Sequence, residues 1–153
     1  MSLLSSLLQE EKQQVALFLG VLREEQATLA AARVEQLAAL GHRKLALTES
    51  LNALEARRTD FIGQTQGEDK LAMTRWFDEH PEEHDANACW LDILALAQEA
   101  KRLHLMNGEL IRLHLEKTQE AIAILTLRQK EVGLYGSDGQ TSNQSGSRLV
   151  DSA

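Results

Sequence analysis

The chain has 153 residues, a formal net charge of −7 at pH 7, and 43 % hydrophobic but only 4 % aromatic residues. The negative net charge argues against a nucleic-acid partner, because phosphate binding requires clustered lysine and arginine. The single cysteine cannot form an internal disulfide, the N-terminus lacks a basic leader, and no run of about 18 uncharged apolar residues exists to span a membrane. We therefore expect a cytoplasmic protein without direct membrane insertion.

Leucine and alanine make up most of the apolar residues, and proline occurs once, at Pro81. Leucine and alanine are strong helix formers, and proline is the strongest helix breaker. The composition therefore predicts an all-α fold.

A long helix is predicted over residues 6–62. Its start is indicated by a capping box at Ser6 and Gln9, and its end by Gly63. Apolar residues recur along it at heptad spacing, with one step of eleven residues that is typical of a stutter. The members of this series are Leu8, Val15, Leu22, Leu29, Leu40, Leu47, Leu54 and Phe61. The pattern predicts a coiled-coil-like helix with one local adjustment.

A short helix is predicted over residues 66–80, with a capping box at Thr65 and Glu68. It carries bulky apolar side chains at Leu71, Met73, Trp76 and Phe77. Two interpretations are open. The helix either plugs the end of a long helical hairpin, or it presents a knob to a partner, since aromatic residues and methionine are favoured at interfaces.

The sequence from His80 to His84, "HPEEH", matches the H-x-x-E-H zinc pattern, in which two histidines one helical turn apart bind the metal. Further ligands could come from Cys89, His104 and His114. Pro81 disfavours helical geometry at His80, and an elongated hairpin provides no closed cavity for catalysis. No glycine-rich phosphate loop is present either. We therefore expect no metal site, no cofactor and no enzymatic activity.

A second long helix is predicted over residues 86–132, capped by Asp85 or Asn87. Its apolar residues form two stripes, whereas one narrow seam is enough to pair two helices. One stripe contains Leu96, Leu103, Leu110 and Ile124, with Met106, Leu113, Leu127 and Leu134 beside it, and the other contains Ile111, Leu115, Ile122 and Leu125. The expected architecture is a long antiparallel, coiled-coil-like hairpin joined by the short helix. Two coverings for its second stripe remain open: a second copy, giving a homodimeric four-helix bundle, or a helix from a different protein.

The last twenty residues, 134–153, are rich in glycine, serine, asparagine and glutamine. Such a segment cannot bury enough apolar surface to offset its conformational entropy. We therefore predict a helical domain over residues 1–133 and a flexible tail after it. Tyr135 is the only tyrosine in the chain.

The layout of two long helices around a short one is followed by "LYGSDGQT" from Leu134 and ends in "GSRLVDSA". This layout resembles the flagellar export chaperones of the FlgN family over essentially the whole chain. The resemblance implies a cytoplasmic, non-enzymatic chaperone of the flagellar type III secretion system. Such a chaperone binds hook-associated proteins of the hook-filament junction, covers their amphipathic C-terminal helices, and delivers them to the export gate, with the export ATPase as a downstream partner.

Under this resemblance, the incompletely covered stripe of the second long helix is the predicted cargo-binding surface. Its residues are Leu103, Met106, Leu110, Leu113, Ile124 and Leu127. Tyr135 and Gly136 match the family's Tyr-Gly at the junction of helix and tail, and are the predicted contact with the export gate. The alternative is a structural coiled-coil module that covers its stripes by self-association alone.

Overall fold

The computed structural model describes residues 1–63 and 71–151, with side chains described for residues 1–63 and 71–133. Within these residues every element is a helix and no strand occurs, so the all-α prediction is confirmed. The elements are α1 (Leu3–Ala30), a 3₁₀ turn (Val34–Gln36), α2 (Leu37–Ile62), α3 (Ala72–Glu79) and α4 (His84–Asp151). The chain divides into two compact units, unit 1 from Met1 to Ile111 and unit 2 from Arg112 to Ala153.

The predicted helix over residues 6–62 is wrong in its continuity, because the chain ends one helix and starts another near Ala32. Ala32 has a φ of 55°, and its N–H donates to the carbonyl of Leu29 at 3.1 Å. The next N–H, of Arg33, donates to the carbonyl of Thr28 at 3.0 Å. These two bonds form a Schellman motif, which ends a helix in a left-handed residue.

The left-handed conformation of Ala32 costs about 1–2 kcal/mol relative to a right-handed one. The chain reversal offsets this cost by burying both Leu29 and Leu40. The eleven-residue step is therefore a helix break and not a stutter.

The start of α1 also differs from the prediction. Its N-cap is Ser2, whose Oγ accepts a hydrogen bond from the N–H of Ser5 at 3.0 Å and donates one to Glu83 Oε2 at 2.8 Å. The predicted capping box at Ser6 and Gln9 lies inside the helix. The earlier start is favoured because it adds the fully buried Leu4 to the core.

Paired charges hold α1 and α2 together as an antiparallel hairpin. Two consecutive glutamates of α1 face two consecutive basic residues of α2, and this arrangement recurs after fourteen residues. The pairs are Glu10–Arg57 at 3.5 Å, Glu11–Arg58 at 2.9 Å, Glu24–Arg43 at 2.6 Å and Glu25–Lys44 at 3.2 Å. In each doublet the first pair is exposed and the second is largely buried. The predicted long antiparallel hairpin is thus present, but its arms are α1 and α2, whereas the prediction had paired the first and last long helices.

The part of α4 that belongs to unit 1 runs parallel to α1. Lys12 Nζ donates to Asp92 Oδ2 at 2.6 Å, and farther along both helices Asn107 Nδ2 donates to Glu25 Oε1 at 2.9 Å. The buried residues of α4 are three, four or seven residues apart, as expected for the two apolar positions of a heptad. They are Ala86, Cys89, Ile93, Ala100, Leu103 and Asn107, and Leu96 between them is half-buried. Together with α1 they build two apolar clusters. The first joins Leu4, Leu8 and Val15 to Met73, Phe77, Ala86, Cys89 and Ile93, and the second joins Leu19 and Leu22 to Ala100 and Leu103.

The short helix α3 supplies two buried side chains, Met73 and Phe77, to the first of these clusters. Beside them, the half-buried Trp76 stacks on His80 with ring centroids 4.0 Å apart and meets Phe61 edge-on at 5.9 Å. These contacts support the interpretation of α3 as a plug against the start of α1. The predicted capping residues Thr65 and Glu68 lie outside the described residues.

Two helix ends near α3 can be compared with the sequence. Gly63 ends α2 as predicted, with a φ of 75° and its N–H donating to the carbonyl of Asp60 at 3.1 Å. The last helix, α4, begins at His84, so the predicted caps Asp85 and Asn87 are wrong and both residues lie inside the helix. Asp85 is in the first turn, where a carboxylate is favourable for the helix dipole.

The backbone of α4 extends to Asp151, beyond the predicted helix end at residue 132. The predicted tail, residues 134–153, coincides with the residues whose side chains are not described, so its flexibility and the boundary at residue 133 stay predictions. No helix in the described part of the chain combines the length and the apolar character needed to cross a membrane.

Candidate functional site

Apolar side chains of unit 2 are left in contact with water. Between Arg112 and Gly133 no described side chain is buried, and only His114 is half-buried. Leucine, isoleucine and valine residues on this stretch are 41–74 % exposed: Leu113, Leu115, Ile122, Ile124, Leu125, Leu127 and Val132. Exposed apolar residues at this density are typical of interaction surfaces, which makes this stretch the candidate site.

These residues lie on two faces of α4. Leu113, Ile124 and Leu127 are separated by eleven and three residues, a spacing that returns to the same side of an α-helix. We call them the first face. Leu115, Ile122 and Leu125 lie on another side and form the second face. The sequence predicted both stripes, and their members between Arg112 and Gly133 are exposed.

Unit 1 contains an open groove of about 590 Å³ between α1 and α4. Small residues of α1, Ala27 and Ala30, face Met106 and Leu110 of α4, and the remaining lining residues are Arg23, Gln26 and Glu109. Met106 is 40 % exposed and Leu110 is half-buried. The sequence analysis identified the two residues from α4 but missed the two alanines, because alanine in a helix gives no signal of a groove.

Among the predicted cargo-binding residues, all of which lie in the described part of the chain, Leu103 is the one that is buried. Its side chain is 3 % exposed and packs with Leu19 and Leu22 of α1. The heptad pattern assigned it to the same stripe as Leu110, but α1 covers that stripe up to Asn107. We therefore exclude Leu103 from the candidate surface.

A buried polar residue that the sequence analysis did not single out lies one helical turn after Leu103. Asn107 is 1 % exposed, and its Nδ2 donates to the carbonyl of Leu22 and to Glu25 Oε1, both at 2.9 Å. Glu25 in turn accepts a bond from Lys44 Nζ at 3.2 Å. Asn107 could have been noticed from its heptad position, because four residues after Leu103 an apolar residue is expected.

The H-x-x-E-H pattern is divided between two helices. His80 follows the last residue of α3, where its Nδ1–H donates to the carbonyl of Trp76 at 2.8 Å, and His84 is the first residue of α4. Its two histidines therefore do not lie one turn apart on one helix, as zinc binding by this pattern requires. Among the described residues no group of three or more His, Cys, Asp or Glu side chains could hold a metal ion. Cys89 is buried, and burial raises the pKa of its thiol, which opposes formation of the reactive thiolate.

The predicted contact residues Tyr135 and Gly136 belong to the backbone of α4, but their side-chain surroundings lie outside the described residues. Their role stays a prediction.

Comparison with known proteins gives one result. A family model described as FlgN protein matches residues 1–143 of the chain. No curated protein and no solved structure matches it significantly.

Proposed function

The chain belongs to the FlgN family, whose general role is that of flagellar export chaperones, and on that premise we propose that it binds hook-associated proteins in the cytoplasm before their export. In this proposal the protein covers the amphipathic C-terminal helix of its cargo and delivers the cargo to the type III export gate. It acts without a cofactor and without enzymatic activity. The export ATPase is a partner in the delivery step.

The observation that carries this proposal is the uncovered first face of unit 2. An amphipathic helix that exposes one apolar side can lay that side against Leu113, Ile124 and Leu127, which removes apolar area of both proteins from water. In unit 1, Met106 and Leu110 offer further apolar surface beside the two alanines of α1. Leucine, isoleucine and methionine make such a surface adaptable, so that more than one cargo can be accepted.

A double substitution on the first face tests this assignment. Leu113→Asp with Leu127→Asp should reduce capture of hook-associated proteins by roughly 100-fold, because two carboxylates would be forced against the apolar side of the cargo helix. The measurement is a pull-down from a lysate of flagellated cells, with the captured hook-associated proteins quantified by mass spectrometry. Leu45→Asp, at a leucine of α2 that is 58 % exposed, is the matched control and should leave capture unchanged. Equal capture by the wild type and the double variant would refute this surface.

The second face supports a different covering, namely a second copy of the chain. Sedimentation equilibrium of the purified protein tests it, because replacing Leu115 and Ile122 by aspartate should dissociate a dimer that uses this face. A tight dimer that also covers the first face, together with no captured cargo, would favour the self-associating structural module.

We further propose that Tyr135, with Gly136 beside it, contacts the export gate. A tyrosine ring can insert into an apolar pocket while its hydroxyl stays hydrogen-bonded, which suits a docking contact. Tyr135→Ala should therefore lower secretion of hook-associated proteins while leaving their capture by the chaperone unchanged. Secretion in a complementation assay and capture by pull-down are the two readouts, and normal secretion by the variant would remove Tyr135 from the account.

A further inference from the structure

A polar layer closes the contact between α1 and α4 at the end of unit 1. The amide nitrogen of Asn107 donates to the Leu22 carbonyl and to Glu25, and Lys44 binds the same carboxylate, so the layer joins α4, α1 and α2. Both groups that face the amide nitrogen are acceptors, which fixes the orientation of the amide. Asn107 Oδ1 has no hydrogen-bond partner among the described residues, although it is buried. Replacing a buried polar layer by well-packed apolar residues is often neutral or stabilising, so stability alone does not account for this layer.

The leucine positions of α4 do not by themselves fix its position along α1. Leu96, Leu103 and Leu110 are spaced by seven residues, so a shift of α4 by one heptad, about 10.5 Å, would replace one leucine by another. The surface charges do not fix it either. Lys12 pairs with Asp92, and the positions seven residues before and after Asp92 are also carboxylates, Asp85 and Glu99.

Asn107 distinguishes between these registers. The residue seven positions before it is Ala100 and the one seven positions after it is His114. A shift in one direction would place the Asn107 amide among Leu19 and Leu22, where it would lose its carboxylate partner. A shift in the other direction would place Ala100 beside Glu25, which would lose its amide donor.

We propose that Asn107 is a positioning residue, which fixes the heptad register of α4 on α1 through Glu25 and Lys44. A single buried asparagine in a heptad seam can set the register of a coiled coil at a cost in stability. The register decides which heptad of α4 is the last to pack on α1, and therefore which apolar residues stay available to a partner. The consequence for cargo binding rests on the proposed function, whereas the register itself does not.

Zero-length carbodiimide cross-linking reads the register directly. Lys12 Nζ lies 2.6 Å from Asp92 Oδ2, so the wild type should yield the Lys12–Asp92 cross-link, located by fragment-ion sequencing. In the Asn107→Leu variant, cross-links from Lys12 to Asp85 or Glu99 should increase roughly tenfold relative to the Lys12–Asp92 cross-link. A tenfold change corresponds to about 1.4 kcal/mol in the free-energy difference between the registers. Asn52→Leu, at an exposed asparagine of α2, is the control and should keep the wild-type ratio.

A second variant keeps the test decisive if Asn107→Leu alone folds poorly. Glu25→Leu and Lys44→Leu combined with Asn107→Leu remove the buried carboxylate and its ammonium partner as well and leave an apolar layer, so helix content by circular dichroism should be retained. The hydrogen bond from Ser2 to Glu83 and the α3 contacts also oppose a shift, at the other end of the α1–α4 contact. If both folded variants give only the Lys12–Asp92 cross-link, those contacts set the register and the proposal is overturned.

Cargo capture by the same variants separates the two proposals. Capture should fall in proportion to the fraction of shifted cross-links, because only the native register is competent to bind. Shifted cross-links with unchanged capture would confirm that Asn107 sets the register but would overturn the consequence drawn for cargo binding, while leaving the proposed function intact. A wild type that captures no hook-associated protein would instead refute the proposed function, and the cross-link ratios would still report the register.

Discussion

Glu11→Ala is expected to lower the free energy of unfolding by about 3–5 kcal/mol, the range found when one partner of a buried ion pair is removed. Glu11 accepts two hydrogen bonds from Arg58, at 2.9 Å from Nε and 3.2 Å from the terminal nitrogen, and both side chains are largely buried between α1 and α2. Arg58 also lies over the ring of Trp90, 4.5 Å from its centroid. Without Glu11 the guanidinium would stay enclosed with no carboxylate partner. Urea denaturation followed by circular dichroism measures the loss.

The neighbouring glutamate provides a matched control. Glu10 pairs with Arg57 at 3.5 Å on the exposed side of the same hairpin. Exposed pairs of this kind typically contribute about 0.2–1 kcal/mol, so Glu10→Ala should have a much smaller effect. Equal losses for the two alanine variants would contradict the assignment of the second pair of each doublet as the one that stabilises the hairpin.

Phe77→Ala is expected to cost about 3–5 kcal/mol of unfolding free energy, as is typical for truncation of a buried aromatic residue. Phe77 is the largest buried side chain that α3 contributes to the first apolar cluster, where α1, α3 and α4 meet. Its removal would leave a cavity and would also loosen the plug. Thermal unfolding measured by calorimetry and by circular dichroism gives the change.

Phe61 is the comparison for this prediction, because it is also aromatic but is 41 % exposed near the end of α2. Phe61→Ala should cost clearly less than Phe77→Ala, since less apolar area returns to water. If both substitutions had the same small effect, α3 would not be an integral part of the core.

Much of the fold could be predicted from local patterns in the sequence. The heptad leucines from Leu8 to Leu29 are all buried, and Gly63 ends α2 in the left-handed conformation that glycine allows. These features depend on residues close together in the chain, so helical periodicity and capping chemistry are sufficient to find them.

The chain reversal near Ala32 could not be predicted in the same way. Alanine is the best helix former, and nothing local marks it as the left-handed residue of a Schellman motif. A long-range signal was nevertheless present. The glutamate doublets of α1 and the basic doublets of α2 each recur after fourteen residues, and an antiparallel hairpin is the arrangement that pairs them.

The candidate site was predictable in part. Helical periodicity identified the exposed residues Leu113, Ile124 and Leu127, because their spacing places them on one side of α4. It could not show that Leu103 lies beneath α1, since this depends on where α1 ends and on the register that we assign to Asn107. The two alanines of the groove carry no local signal, and only the packing of α1 beside α4 identifies them.

The central claim is that the first face of α4 binds the C-terminal helix of a hook-associated protein. Titration of the purified full chain into a fluorescently labelled peptide of that helix, followed by fluorescence anisotropy, tests it most directly. We expect saturable binding with a Kd of about 1 μM or lower, which is about −8 kcal/mol, and loss of this binding in the Leu113→Asp, Leu127→Asp variant. An absence of binding by the wild type, or equal binding by the wild type and the variant, would contradict the account.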